Sequence, residues 1–594
     1  MYLIYLLRRD LRISDNPIIH ALKDSTRYTH VLPLYVISPS QIEVSGFLKE
    51  GMESPYPETR SRIGKFWRCG PHRTRFLAEG LWDLKHGLRS LGSDLVVRVG
   101  RMEEIIQGLL LDKEFSTKVG GVWMAKDWGY EELEEERRVG TTVDSLGGGG
   151  VEWKVFNGEE TLIHEDDLPV KPSELPDVFT SFRKRLEPLR ENIRLPMPSP
   201  ESFYPLPPLI PGQAHPFVIP TSLEGLHDAL QKPLKQSDLE FPPPFPAYTK
   251  SAHPFTGGES YAHTRVKHLI SSGAMAAYKD TRNGLVGEDF STKLSGYLSH
   301  GFITARQVNA YLVTFEDGTA PSSPTNGDGY GNGENKGTAA VRFELLWRDY
   351  MRLCMRKYGH RLFSVHGFRG PPQNTGSRRH HGKTSGARWR TLFESSTAFS
   401  RFQNGTTGTG LIDASMRELA LTGYTSNRAR QNCASFLAIW LGIDWRVGAE
   451  WYESMLVDYD VASNWGNWQY VAGVGNDPRG GGEGRRFNPV KQAWDYDPRG
   501  EYVRMWVEEM GDVGGGQGNL EVLFQPSKVD EVLARRGSGG VEGKTDRRVL
   551  EGLRLIVGSR DPLVEVSYEK RKMGGGKGGK RGGTKMRESR ELTV

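Results

Sequence analysis

Residues able to do chemistry crowd into one stretch, Asp458 to Tyr470, which reads Asp-Tyr-Asp-Val-Ala-Ser-Asn-Trp-Gly-Asn-Trp-Gln-Tyr. Two acids, two Asn, two Trp and two Tyr share these thirteen positions. On a helix, Asp460, Asn464 and Trp468 stand at i, i+4 and i+8 and share one face. An acid, an amide and an indole on one stripe suit a polar, planar ligand. The alternative is an aromatic-rich helix end whose polar groups cap nearby backbone.

Three further sets have matching chemistry. Tyr278-Lys-Asp-Thr-Arg282 precedes Phe290-Ser-Thr-Lys-Leu-Ser295. Ser291 to Ser295 enter a helix with hydroxyls, backbone N–H groups and a cation, the ingredients of a phosphate site or of an ordinary hydroxyl cap. Glu344, Trp347 and Arg348 stand at i, i+3 and i+4 on a second helix, either a functional face or a Trp beside a surface ion pair. Asp413-Ala-Ser-Met-Arg417 and Gly423-Tyr-Thr-Ser-Asn427-Arg-Ala-Arg430-Gln431-Asn432 supply amides and two arginines, a solvated face or the lining for a planar ligand and phosphates. Trp445 lies between them and the first stretch.

The elements that must position these residues fall into two kinds. Tyr2–Leu7, His30–Val36, Asp94–Val99 and Gly121–Ala125 read as buried strands, alternating with helices over Ile18–Lys23, Leu81–Leu91 and Met102–Leu111. That order predicts a doubly wound parallel sheet, Rossmann-like in layout and ending near Asn157, although no Gly-x-Gly-x-x-Gly dinucleotide fingerprint is present. Proline clusters at 195–211 and 241–246 mark a long extended connector draped over the surface. Beyond about Gly257 the strand signal stops and helices are expected over 260–273, 304–315, 338–358, 411–420, 427–441 and 448–458. Gly-rich inserts at 147–150, 318–337, 370–386 and 475–484 read as loops. The expected layout is an α/β domain over 1–165, a connector over 166–256, an all-α domain over 257–525 and an extension over 526–594 ending in a disordered tail.

The 594 residues, 37% of them hydrophobic, suit a soluble protein of several domain-sized units. No run reaches the length of a membrane helix. Met1–Leu7 runs straight into Arg8-Arg9-Asp10 and reads as a strand rather than a signal peptide. Cys69, Cys354 and Cys433 lack metal-ligand spacing and read as structural thiols in a reducing compartment. Net charge is +5, but Glu569 to Glu591 holds nine Lys/Arg against three acids. The remainder is nearly neutral, so a nucleic-acid site on it must be a local patch. The basic, Gly-rich tail is either a phosphate-binding arm or a solvated end.

Together these motifs resemble the photolyase/cryptochrome family. The resemblance runs from Leu7-Arg-Arg-Asp-Leu-Arg-Ile-Ser-Asp-Asn-Pro17 to about Gln525. It looks nearest to the DASH branch through Gln41-Ile-Glu-Val-Ser-Gly-Phe47, Arg68-Cys-Gly-Pro-His-Arg-Thr-Arg-Phe76, Thr281-Arg-Asn-Gly-Leu285 and Asn464-Trp-Gly-Asn-Trp-Gln-Tyr-Val-Ala-Gly-Val-Gly475. The tail is similar to that of fungal members.

The resemblance implies a U-shaped FAD in the helical domain. Tyr278 and Ser291, Thr292, Lys293, Leu294 and Ser295 match the positions that hold its phosphates. Glu344 and Arg348 match a helix running from substrate to flavin, and Arg430 a pocket arginine paired with Asp458. Asp460, Ser463 and Asn464 match residues along the isoalloxazine and adenine, with Asn464 facing N5. The implied reaction is blue-light-driven splitting of cyclobutane pyrimidine dimers. Glu344 and Asn427 match the groups that hydrogen-bond the dimer, Trp347 a ring that stacks on it, and Arg282, Gln431 and Tyr470 other substrate positions. Gln431 and Tyr470 depart from the Met and Trp of dimer photolyases acting on duplex DNA, which implies a single-stranded DNA substrate. Trp468, Trp445 and Trp389 match the chain that reduces the flavin by light. A 5,10-methenyltetrahydrofolate antenna is implied between the domains, with Glu131 or Glu132 at its carboxylate ligand. A non-repairing blue-light receptor, acting through a protein partner or through RNA bound by the tail, uses the same pocket. The expected protein is an intracellular monomer, nuclear or cytoplasmic, with an organelle still open.

Overall fold

The computed structural model describes residues 1–157, 161–235, 253–319, 329–371, 389–477, 484–513, 517–536, 561–566 and 568. The proline cluster at 241–246, most of the Gly-rich insert at 370–386, parts of those at 318–337 and 475–484, and the basic tail at 570–590 lie outside them.

Five strands, β1 Tyr2–Leu7, β2 His30–Ile37, β3 Val96–Val99, β4 Val119–Ala125 and β5 Glu152–Phe156, form one sheet in the order β3-β2-β1-β4-β5. Every pairing is parallel, as strands with near-continuous apolar sequence require when both sheet faces are covered. Ile4, Leu6, Leu32 and Leu34 face the Met102–Leu111 and Tyr130–Leu146 helices. Leu3, Tyr5, Leu7 and Val31 face the opposite way, into a core that continues into the helical half. The strand order reverses direction between β1 and β4. Such a switch point opens a crevice beyond the carboxyl ends of the strands. Here those ends deliver Arg8, Arg9 and Asp127 to one cavity.

The Leu7–Pro17 segment clamps the two halves together. Arg12 is fully buried and donates to the carbonyls of Asp15 and Gly301. Asp15 in turn holds Arg306 and Thr304, while the Glu259 carboxylate accepts the backbone N–H groups of Ile13 and Ser14. This cluster is the structural work of an N-terminal motif that contains no reactive group.

The connector departs from expectation. It is not merely draped over the surface: Phe179, Phe182, Phe217, Leu226 and Leu230 are buried, and short helices cover Phe179–Arg183 and Leu223–Gln231. Just before the connector, Leu162 and Ile163 give their N–H groups to the buried carboxyl of Asp349 at 2.9 to 3.1 Å. The extension, before its basic Gly-rich end, carries structure of its own. A helix spans Val529–Arg536, and Val566 packs into a second cluster with Trp494, Tyr502 and Trp506. Asp561 and Leu563 fasten this return strap to Arg401 and Thr407. No helix among the described residues is long and apolar enough to cross a membrane, and all three cysteines are buried and unpaired with one another.

Candidate functional site

The stretch that opened the sequence reading forms a helix over Val461–Ala472. Asp460 is not inside it. It is the N-cap, accepting the Ser463 N–H at 2.8 Å, a cap worth about 1 kcal/mol. The capping alternative therefore holds at Asp460. From this end, Ser463, Asn464, Asn467, Trp468 and Val471 line a cavity whose other walls are Asn427, Arg430, Gln431, Ala434, Tyr452, Leu456 and Asp458.

Arg430 reaches both carboxylate oxygens of Asp458, the partner the sequence suggested, and Ser295 donates to the same carboxylate at 2.6 Å. The second acid, Asp460, pairs with Arg352 at 2.9 Å. Burial opposes its ionisation, but Arg352, Arg348 and Arg9 outweigh it and hold the carboxyl well below the usual range. Asn464 donates one amide hydrogen to the Ala449 carbonyl at 2.9 Å, which leaves its oxygen and its second N–H to offer to the cavity.

Ser291 and Lys293 both adopt positive φ, 65° and 53°, so the Ser291–Ser295 segment is a tight loop before a one-turn helix, Ser295–Ser299. Lys293 was expected as a phosphate-facing cation. Its ammonium instead donates to the carbonyls of Gly287 and Glu288 at 2.9 and 2.8 Å, and burial lowers it to about 8. The Thr292 carbonyl accepts from Arg265, and Leu294 is buried in the core. Tyr278 is buried, which raises its phenol above the ordinary value, and Arg282 lies 5.6 Å from its ring centre. Arg348 donates to the Leu298 carbonyl at 2.9 Å.

Arg282 also pairs with Glu344 at 2.6 Å. Burial raises the Glu344 carboxyl above its ordinary range against the pull of Arg282. Gln431 is buried and accepts from Arg428 at 3.0 Å. Trp347 and Tyr470, expected to meet an extruded base, are only 5% and 2% exposed. They pack edge to face at 5.6 Å. Phe179 of the connector closes on Trp347 at 4.7 Å, and Arg485 lies 4.1 Å over the Tyr470 ring while donating to its hydroxyl. A base stacking on Trp347 must displace one of these neighbours. Nothing in the sequence linked Phe179 to Trp347, 168 positions away, so this contact was not foreseen.

Trp468 meets Tyr452 edge on at 5.2 Å. Gly448 makes room for it, since a Cβ there would lie 2.2 Å from the indole. Trp445 is fully buried and donates to the Val365 carbonyl at 3.2 Å. Trp389 is half-buried, beside a backbone bridge joining Arg390 to Ile443. Asn467 and Tyr452 were not singled out. Asn467 stands three residues from Asn464, so the helical period alone could have found it.

The second cavity lies at the sheet's switch point between the two halves. Glu131 pairs there with Arg68 at 2.9 Å, and Glu132 with Arg9 at 2.8 Å. Burial pushes the Glu132 carboxyl upward, with Arg9 opposing. No group of three or more metal-ligating side chains occurs among the described residues.

Two family models match: DNA photolyase over residues 3–201 and the FAD binding domain of DNA photolyase over 341–531. A Neurospora crassa relative, whose name places it among the DASH cryptochromes and in the mitochondrion, is 50% identical over 544 residues, 88% of this chain and 71% of its own. Cryptochrome DASH of Xenopus laevis is 37% identical over 517 residues, 86% of this chain and 84% of its own. The crystal structure of a Synechocystis sp. PCC6803 cryptochrome superposes with a TM-score of 0.71 at 31% identity, covering 93% of this chain and 99% of that one. The chain therefore belongs to the photolyase/cryptochrome family. Within it, the Neurospora and Xenopus relatives carry the DASH cryptochrome name, and the chain has that branch's photolyase and FAD-binding domains.

The cavity's donors fit FAD. Asn464 offers an amide to a planar ring, Asn467 has a buried oxygen without a partner, and Arg430 supplies a cation.

Proposed function

We propose that this protein is a light-driven photolyase that splits cyclobutane pyrimidine dimers, chiefly in single-stranded DNA. What carries the proposal is contiguity. Asn427 and Gln431, assigned to the lesion, line the same cavity as Asp460, Ser463 and Asn464, assigned to the flavin. Electron exchange between two ligands needs them to be neighbours. Reduced FAD, when bound, supplies an electron under blue light and takes it back after the ring opens.

The chain's own residues bind, orient and polarise. Arg430, Asp458 and Ser295 fix one end of the cavity, and Asp460 fixes the start of the helix that carries Asn464. Glu344 has its carboxyl raised by burial, which increases the share holding a proton. A protonated Glu344 can donate to a pyrimidine carbonyl, and with Asn427 it stabilises charge developing on the dimer. Tyr278 and the hydroxyls of Ser291, Thr292 and Ser295 belong to the phosphate end, Arg348 to the flavin side and Arg282 to the lesion side.

The single-strand preference rests on Gln431 and Tyr470, which depart from the Met and Trp of dimer photolyases acting on duplex DNA. Extruding a base from a duplex costs a few kcal/mol, and least where no partner base must be broken away. The cavity at the switch point takes the methenyltetrahydrofolate antenna in this reading, with Glu131 and Glu132 exchanging their arginine partners for it. Trp389, Trp445 and Trp468 carry electrons to the flavin. RNA binding by the basic tail, a monomeric state, and residence in the nucleus, cytoplasm or, as the Neurospora relative's name suggests, an organelle complete the proposal.

The test is blue-light repair of a dimer-containing single-stranded oligonucleotide by the reduced holoprotein, read as dimer loss against a dark control. Protein that binds FAD and photoreduces yet repairs nothing sinks the photolyase reading. It would favour the second one, a non-repairing blue-light receptor, for which the covering of Trp347 by Phe179 already speaks.

A further inference from the structure

The expected relay runs Trp389, Trp445, Trp468, yet the ring contacts of Trp445 lead elsewhere. Among the described residues, the aromatic pair made by Trp445 is with Trp465, at 5.9 Å and nearly perpendicular. Trp465 is 5% exposed. It packs edge on against Phe363 at 4.9 Å and donates its indole N–H to the Tyr459 oxygen at 3.2 Å. Tyr459 and Phe363 both line the cavity between the domains. Arg73 lies 4.6 Å over the Tyr459 ring, and the Arg68–Glu453 pair, 2.8 Å apart, stands in the same wall. A contiguous aromatic path therefore joins the fully buried Trp445 to a second, solvent-reachable cavity.

We propose that, in protein whose interdomain cavity holds solvent rather than the antenna, Trp465 and Tyr459 form a branch of the light-driven relay, ending on Tyr459 at that cavity. The proposal rests on the flavin reading above. The oxidant is photoexcited oxidised flavin, which takes one electron from Trp468. One electron then moves from Trp445 to Trp468, one from Trp465 to Trp445, and one from Tyr459 to Trp465. Tyr459 releases its phenolic proton to solvent in the cavity and is left as a neutral phenoxyl. The three tryptophans return to their starting state, so the net loss is one electron and one proton from Tyr459.

Three features favour this terminus. The Trp465 N–H continues to donate to the Tyr459 oxygen after the proton leaves, which stabilises a phenoxyl whose own donor has gone. The nearby Arg73 cation disfavours a positive charge on that ring but tolerates a neutral radical. The cavity also gives a dissolved thiol reductant access to Tyr459, whereas Trp445, at 0% exposure, has none.

The experiment is flash photolysis of the full-length, FAD-loaded protein, with transient electron paramagnetic resonance identifying the long-lived radical. Wild type should show a tyrosyl signal, reshaped by ring-deuterated tyrosine. The signal should be lost in Tyr459→Phe and in Trp465→Phe and kept in Trp389→Phe. Tyr459→Phe retains the ring and so keeps the test open if Trp465→Phe does not fold, which thermal melting checks. A wild-type signal that is purely tryptophanyl, vanishes in Trp389→Phe and persists in Tyr459→Phe overturns the branch while leaving the flavin reading intact. Wild-type protein that binds no FAD overturns both.

Discussion

Arg430 donates to both oxygens of Asp458, at 2.9 and 3.1 Å, while the Ser295 hydroxyl donates to one of them at 2.6 Å. Three segments far apart in sequence thus meet on one carboxylate that is 2% exposed. Removing either partner strands a buried charge.

Arg430→Ala should therefore lower stability by about 3 kcal/mol, the lower end for breaking a buried pair because the guanidinium is itself partly exposed. FAD retention should fall with it. Denaturant midpoints and the flavin absorbance left after gel filtration check both.

Glu344→Ala should cut repair by about 100-fold, the usual scale for losing one preorganised polar contact in a transition state. FAD should remain bound, because Arg430, Asp458 and Asp460 are untouched. Complete loss of flavin would show that Glu344 belongs to the cofactor rather than to the dimer.

Trp468→Phe should slow photoreduction at least about tenfold, the effect of adding roughly 1.4 kcal/mol to the electron's route. Repair by chemically reduced protein should be spared. An unchanged photoreduction rate removes Trp468 from the relay.

Asp349 gives a pH prediction. Burial raises its carboxyl from 3.8 to about 7 in the folded chain. The folded state then binds the proton more tightly than the unfolded state, so its contribution to stability is largest below about 4 and declines as pH rises to about 7. Asp349→Asn cannot titrate. The difference in melting temperature, wild type minus variant, should fall across that window, and a flat difference contradicts the assignment.

Much of the architecture was legible because it depends on local pattern. Four of the five strands and the helices over Met102–Leu111 and Lys336–Tyr358 were read within a few residues, while β5, Glu152–Phe156, was not named. The helix Pro71–Ser90 begins ten residues before its apolar stripe, since its first turn buries His72, Arg73 and Thr74 rather than hydrophobic side chains. Tyr130–Leu146 was overlooked because its run of acids and arginines shows little apolar period. The helix starting at Asn427 was expected to reach Leu441, but it changes to a wider turn over Phe436–Trp440. At the site, Arg430–Asp458 could be named from the family resemblance. The lid made by Phe179, the Arg485–Tyr470 stack and the loop-closing role of Lys293 depend on long-range contacts that no local pattern encodes.

The largest apolar cluster does not respect the boundary drawn from sequence. It joins Leu3, Tyr5 and Leu7 of the sheet to Trp445, Trp465 and Trp468 of the helical half. Neither half can be excised without baring that shared interior to water. The molecule should melt in a single calorimetric event, and the N-terminal half expressed alone should be aggregation-prone rather than a stable antenna module.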